Sequence, residues 1–329
     1  MYLAFYGLKE KPFNTTPDPK FLYLTGGHRE ALAQLVYGVQ ESKGFIVLTG
    51  EVGTGKTTLI HALLQRLNGQ TTVAFVPNSG LPFDGLLEYI LEDFGIGERG
   101  SSPAQRLFAL NNYLIERRRA SQSSVLIIDE AQNLEPPTLE QIRLLSNFET
   151  PTDKLLQIVL AGQPELEAKL ERPELRQLQQ RIGLRCRITS LSLKDTAAYI
   201  RKRLATAGAP DPGIFSDRAI RRIAKYARGI PRLVNILCDH CLLIGYADQK
   251  RQIERDVVDE AIASLAERRR RRRAAAGGRD RRSTTRLRWL MASLATALAG
   301  GVAVLVVLHP DALGQLVDLL RSARELIAR

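Results

Sequence analysis

Cysteine is scarce in this chain, with 3 in 329 residues. Cys238 and Cys241 sit three apart in an apolar helical segment, and no second pair completes a zinc site, so both are expected as buried core thiols. Cysteine used so sparingly fits a reducing, cytosolic location for the main body. The stretch Met1 to Lys11 lacks a long apolar core, which argues against a cleavable signal peptide. Acidic residues are nearly missing from one region: between Arg268 and Arg288 there are 11 arginines against Asp280 alone, leaving only +2 of the formal +12 charge for the rest. The basicity is therefore local. Length and composition otherwise describe a globular chain of about two domains plus extras, with enough apolar residues for a large core.

What is present is led by Gly50-Glu51-Val52-Gly53-Thr54-Gly55-Lys56-Thr57, which matches every fixed position of the P-loop pattern directly after the apolar run Phe45-Ile46-Val47-Leu48-Thr49. Glycines at 50, 53 and 55 let the backbone turn tightly and aim N–H groups at phosphate oxygens, and the following helix offers its positive N-terminal end. In this pattern Lys56 reaches the β- and γ-phosphates and the Thr57 hydroxyl holds Mg²⁺. The predicted nucleotide-binding stretch runs on through Thr58, and from there to Leu67 the residues Leu59, Ile60, Leu63, Leu64 and Leu67 fall at helical spacing. A strand before the loop and a helix after it are the context a true P-loop needs. The motif implies ATP or GTP binding.

Downstream, Ser124-Val125-Leu126-Ile127-Ile128 reads as a buried parallel strand that delivers Asp129 and Glu130 at its carboxyl end, a Walker B element. Asp129 is placed to steady Mg²⁺ through its water shell, and Glu130 to orient and polarise the attacking water for in-line phosphoryl transfer. An apolar run ending in Asp-Glu says little by itself. After a P-loop, in the correct order, it is specific.

Candidate strands at Phe45 to Thr49, Thr72 to Pro77, Val125 to Asp129, Leu156 to Ala161 and Leu184 to Ile188 alternate with candidate helices, two of them starting near Pro82 and Pro103 and another running from Thr138 to Phe148. That alternation predicts an α/β fold, a parallel sheet covered by helices, over residues 1–190. From Leu191 strands disappear, and helical segments near 193–207, 216–228, 231–247 and 255–266 predict a small all-helical lid over 191–266.

Beyond it lie a basic juxtamembrane linker, 267–288, and Trp289 to Leu308, 20 residues without a charge, about the length that spans a bilayer core as one transmembrane helix. A buried hairpin helix is the alternative reading, suggested by Gly300-Gly301 and many alanines; glycine is nonetheless tolerated in membrane helices, and Trp289 suits the interface. The positive-inside rule keeps the arginines, and with them the nucleotide-binding body, in the cytoplasm. Arg268 to Arg273 could instead be a nucleic-acid arm; beside an apolar span the favoured reading is a topology determinant touching anionic lipid. The tail, 309–329, carries apolar residues at 313, 316, 317, 320 and 327, an amphipathic stripe on the periplasmic side.

Over roughly residues 1–265 the chain resembles AAA+ ATPases of the ExeA/GspA type, associated with the general secretion pathway, and their relatives in pilus and exopolysaccharide systems. The resemblance is carried by Met1-Tyr2, Phe5-Tyr6-Gly7-Leu8, Lys11-Pro12-Phe13, Thr16-Pro17-Asp18-Pro19, His28-Arg29-Glu30-Ala31-Leu32 and Tyr37-Gly38. It continues in Asp129-Glu130-Ala131-Gln132, Leu160-Ala161-Gly162-Gln163-Pro164-Glu165-Leu166 and Gly229-Ile230-Pro231-Arg232. It implies an ATPase using ATP and Mg²⁺, with Gln163 at sensor 1, Arg232 at sensor 2 on the lid, and His28 bordering the adenine pocket. An arginine finger from a neighbouring subunit is implied too; Arg176 and Arg181 are the candidates, with Arg181 favoured, and a solvated helical face explains either equally well.

The implied partners are a homo-oligomer, envelope secretion or pilus assembly proteins, and the bacterial inner membrane with anionic lipids at 268–288. Nucleic acid is not expected. The secretion members carry a sizeable periplasmic peptidoglycan-binding domain where this sequence has only His309 to Arg329, which puts peptidoglycan binding in doubt. Two rival readings stand beside this one: a DNA-associated ATPase like the transposition regulators, which share the AAA+ core, and a nucleotide-gated scaffold with negligible hydrolysis.

Overall fold

The structure, a computed structural model, describes residues 2–270 except positions 17, 68, 78, 98–101, 152 and 269. The span expected at 289–308, the linker from 271 and the tail lie outside the described residues. Among the described residues, no helix is long and apolar enough to cross a membrane.

In chain order, α1 (Tyr2–Tyr6) and α2 (Gly26–Gln40) precede β1 (Phe45–Gly50). Then come α3 (Lys56–Leu64), β2 (Thr71–Val76), α4 (Phe83–Asp93), α5 (Pro103–Arg119) and β3 (Ser123–Ile128). They are followed by α6 (Pro136–Leu145), β4 (Leu156–Gly162), α7 (Pro164–Leu170), α8 (Arg176–Gln180) and β5 (Ile182–Ile188). The helices α9 (Leu193–Thr206), α10 (Asp217–Ala227) and α11 (Pro231–Ala247) complete the named elements, and residues from 255 are again helical.

The strands form one parallel sheet in the order β2-β3-β4-β1-β5. The central strands β1 and β4 are buried along their whole length, as near-continuous apolar runs must be when helices cover both faces. Successive side chains divide between two cores. Phe45, Val47, Leu126, Ile128, Ile158 and Leu160 pack with Leu87, Ile90, Leu110 and Ile142 on one face. Ile46, Leu48, Val125, Ile127, Val159 and Ala161 pack with Leu32, Leu35, Ile60 and Leu63 on the other. At the edge, β5 buries only Cys186 and Ile188 and exposes Gly183, Arg185 and Arg187.

Every expected strand is present, with ends shifted by one or two residues. The helix after the P-loop stops at Leu64 rather than Leu67; a turn, with Leu67 N–H donating to Leu63 O at 3.0 Å, still folds Leu67 against the core. The helix expected from Thr138 to Phe148 instead runs Pro136–Leu145, because Pro136, lacking an N–H, suits the first turn. Cys186, Cys238 and Cys241 are free and buried.

Residues 2–14, grouped with the sheet by the sequence, hydrogen bond to the helical module. The Tyr2 hydroxyl donates to Asp239 Oδ1 at 2.7 Å, the Tyr6 hydroxyl to Lys250 O at 3.0 Å, and Lys9 N–H to Ala207 O at 2.8 Å.

Candidate nucleotide-binding site

β4 lies between β1 and β3 and runs parallel to both, so the loops that leave these three strands share one end of the sheet. After β1, Gly53 (φ 80) and Gly55 (φ 107) take left-handed backbone angles that a side chain would strain, and α3 begins at once with Lys56. The Lys56 ammonium folds back on this loop, donating to Gly50 O at 2.8 Å and Glu51 O at 3.3 Å. Burial lowers its pKa, against the pull of Glu130, Asp129, Glu51 and Glu165. A cation held on neutral carbonyls and short of water is poised to exchange them for phosphate oxygens.

Thr57 Oγ1 donates to Asp129 Oδ2 at 2.6 Å, and the other Asp129 oxygen accepts Glu130 N–H at 2.8 Å. Glu130 has a left-handed backbone (φ 53), sparsely populated by non-glycine residues, and its carbonyl accepts from Ser79 Oγ at 2.7 Å. Its carboxylate Oε2 accepts from Gln132 Nε2 at 2.6 Å and from Gln163 Nε2 at 3.3 Å. Paired hard oxygens at Thr57 and Asp129, beside a phosphate-sized loop, fit Mg²⁺, which binds through one or two protein oxygens plus substrate phosphates and waters.

A cleft of about 340 Å³ opens beside the loop, lined by Val52 to Leu59, Glu130, His28 and Arg232. His28, buried, bonds Thr54 O through Nε2 at 3.1 Å and Thr25 Oγ1 through Nδ1 at 2.6 Å, and so braces the P-loop from α2. Arg232 opens α11. Its backbone N–H donates to Gly53 O at 3.3 Å, and a Cβ on Gly53 would stand 2.7 Å from Arg232 Cβ. The helical module thus rests directly on the P-loop.

Arg181 does not line the cleft; it is half-buried, with Nη1 donating to Ser146 Oγ at 2.6 Å, whereas Arg176 is exposed.

Three residues of the cleft escaped the sequence reasoning. Arg203 is 6% exposed, donates to the Pro12 carbonyl, to the Tyr199 hydroxyl at 2.9 Å and to Asn14 O at 3.3 Å, and stacks over Phe21 at 4.8 Å. The Tyr199 hydroxyl donates in turn to Asn235 Oδ1 at 2.9 Å; burial raises its pKa against the opposing Arg203 charge. This network ties the segment around residues 12–24 to α9 and α11. An arginine in a helical pattern reads as solvated, so nothing local in the sequence signals it. A fourth missed residue, Gln132, stood in plain view inside Asp129-Glu130-Ala131-Gln132.

Residues 39–170 match the AAA domain family. Over 254 residues, 77% of this chain, the sequence is 45% identical to general secretion pathway protein A of Aeromonas hydrophila, and the matched stretch spans 46% of that protein. Among solved structures, the fold is similar to the ORC2 protein of Aeropyrum pernix, with a TM-score of 0.60 at 16% identity, covering 78% of this chain and 71% of that one. It is also similar to Cdc6p from Pyrobaculum aerophilum, with a TM-score of 0.57 at 22% identity, covering 74% and 67%. These structural likenesses concern the fold.

Proposed function

We propose that this chain, as an AAA protein of the general secretion pathway protein A type, is a membrane-anchored ATPase whose ATP cycle drives or regulates assembly of a bacterial envelope secretion or pilus-type system. The observation that carries the reading is the meeting of Lys56, Thr57, Asp129 and Glu130 at one sheet end, in a chain 45% identical to a secretion-pathway protein.

In this reading the P-loop N–H groups and Lys56 hold the β- and γ-phosphates of ATP, and Thr57 and Asp129 hold Mg²⁺. Bound there, Mg²⁺ neutralises charge on the phosphates. Glu130 receives the attacking water, Gln163 stands by as sensor 1, and Arg232 links the nucleotide to the angle of the 191–266 lid. Arg181 is offered to the site of a neighbour in a homo-oligomer. The 289–308 span, with arginines on its cytoplasmic side, makes a single-pass inner-membrane protein whose ATPase faces the cytoplasm.

The test is affinity purification of full-length Glu130→Gln from membranes in ATP. This variant is expected to bind ATP without hydrolysing it and to retain secretion or pilus assembly components. Recovery of DNA and a transposase from the soluble fraction overturns both the function and the anchor.

A further inference from the structure

Gln132 has no role in the site as proposed, yet its side chain joins two of that site's parts. Its Nε2 donates to Glu130 Oε2 at 2.6 Å, while its Oε1 accepts the backbone N–H of Gln163 at 3.0 Å. The Gln163 side chain adds a second donor to the same Glu130 oxygen, at 3.3 Å. The turn bearing Gln132 is itself pinned, with Lys169 Nζ donating to Gln132 O at 2.7 Å and to Leu134 O at 2.6 Å. Close packing completes the arrangement: a Cβ on Gly162 would lie 2.9 Å from Gln132 Oε1, so glycine at that point of β4 gives the amide its room.

Both donors converge on Oε2, and among the described residues Oε1 has no hydrogen-bond partner. An ionised carboxylate is acceptor-only, so the unbonded oxygen is the one that can take a hydrogen bond from water. We infer that Gln132 is a positioning residue for hydrolysis: by gripping Oε2 and the end of β4 together, it aims the free oxygen of Glu130 and ties that aim to the position of Gln163. The inference rests on the hydrolytic reading above.

Gln132→Met is nearly isosteric and loses both bonds. Gln132→Glu keeps the acceptor for Gln163 N–H, loses the donor and sets a second carboxylate against Glu130. In the full-length protein, Gln132→Met is expected to lower kcat for ATP about 10- to 100-fold, the scale of a misplaced reacting group. KM and ATP affinity should stay within about two-fold, the signature of an interaction used only in the transition state. Gln132→Glu should lose at least as much kcat, and it carries the comparison if Gln132→Met does not fold. Adding Gln132→Met to Glu130→Gln should change nothing further, because the group being positioned is gone.

A Gln132→Met kcat within about two-fold of wild type overturns the inference. So does a loss of kcat matched by equal losses of ATP affinity and thermal stability, the pattern of a structural residue. A wild-type chain that does not turn over ATP removes the hydrolytic reading and this inference together, whereas normal wild-type turnover with an unaffected Gln132→Met removes the inference alone.

Discussion

Thr57 Oγ1 and Asp129 Oδ2, 72 residues apart in sequence, are joined by a 2.6 Å hydrogen bond across the mouth of the P-loop. One residue lies in the first turn of α3 and the other follows β3. Their contact turns two separate motifs into one oxygen pair.

That pair sets the first expectation. Thr57→Ala leaves Asp129 in place but removes one oxygen, and should raise the Mg²⁺ concentration for half-maximal ATP turnover by about 10-fold or more, on the scale of altered metal-site shells. Asp129→Asn should do the same. A Mg²⁺ titration of turnover, with ATP saturating, reads the effect; an unmoved midpoint in both variants removes the pair from the metal site.

Lys56 makes stability depend on pH. Burial holds its pKa below the ordinary 10.5, so in the window between the folded value and 10.5 the unfolded chain binds more proton than the folded one. Stability contributed by this group therefore rises as pH rises through that window, toward 10.5. Urea unfolding of wild type and Lys56→Met from neutral to alkaline pH should show the wild type gaining relative to the variant. A difference independent of pH contradicts the assignment. ATP binding, which supplies anionic partners, should be lost in Lys56→Ala.

Gly53 couples the P-loop to the helical module. With φ at 80 and Arg232 Cβ only 2.7 Å from where its own Cβ would stand, Gly53→Ala must both strain the loop and push α11 away. A cost of about 1–3 kcal/mol in unfolding free energy is expected from the backbone conformation alone. Weaker ATP binding should accompany it, and calorimetry with denaturant unfolding measures both. Arg232→Ala lacks the backbone strain and should leave stability near wild type.

Arg203 holds the segment around 12–24 by charge-assisted bonds to the carbonyls of Pro12 and Asn14. Arg203→Met keeps much of the apolar stem and strands those acceptors, so a loss of about 2–3 kcal/mol is expected. Hydrogen exchange should quicken over residues 12–24 while the central strands stay protected. Uniform acceleration through β1 and β4 would point to general destabilisation instead.

The three thiols give a chemical check on the core. Burial pushes Cys186 up to about 11 and Cys238 well above its ordinary value, so thiolate is scarce at neutral pH. A thiol reagent at neutral pH should label Cys186, Cys238 and Cys241 only after denaturation. Rapid labelling of Cys238 or Cys241 in the native protein would mean that the helical module opens, and of Cys186 that the sheet edge does.

The sheet was legible because its strands are contiguous apolar runs, such as Val125-Leu126-Ile127-Ile128, whose period and length are properties of neighbouring residues. The same locality exposed the P-loop, which lies in one stretch of eight residues. Helix ends were less legible. Leu67 keeps an apolar face toward the core from a turn outside the helix, and a pattern of burial does not distinguish the two. The N-terminal residues precede the sheet in the chain, so their sequence groups them with it, yet Tyr2 and Tyr6 find their partners in Asp239 and Lys250.

The sequence alone determined the class of fold and the phosphate-binding loop, since both are written in local spacing. The tertiary structure decided what meets what: β4 inserted between β1 and β3, Gln132 bridging Glu130 to Gln163, Arg232 against Gly53, and Arg203 buried with its guanidinium over Phe21. Strand order and domain docking are fixed by contacts between residues far apart in the chain, whose energies depend on packing and burial that no local window contains. A glutamine two places after a Walker B aspartate-glutamate pair, or an arginine in a helical pattern, acquires its role only when the fold supplies the acceptors.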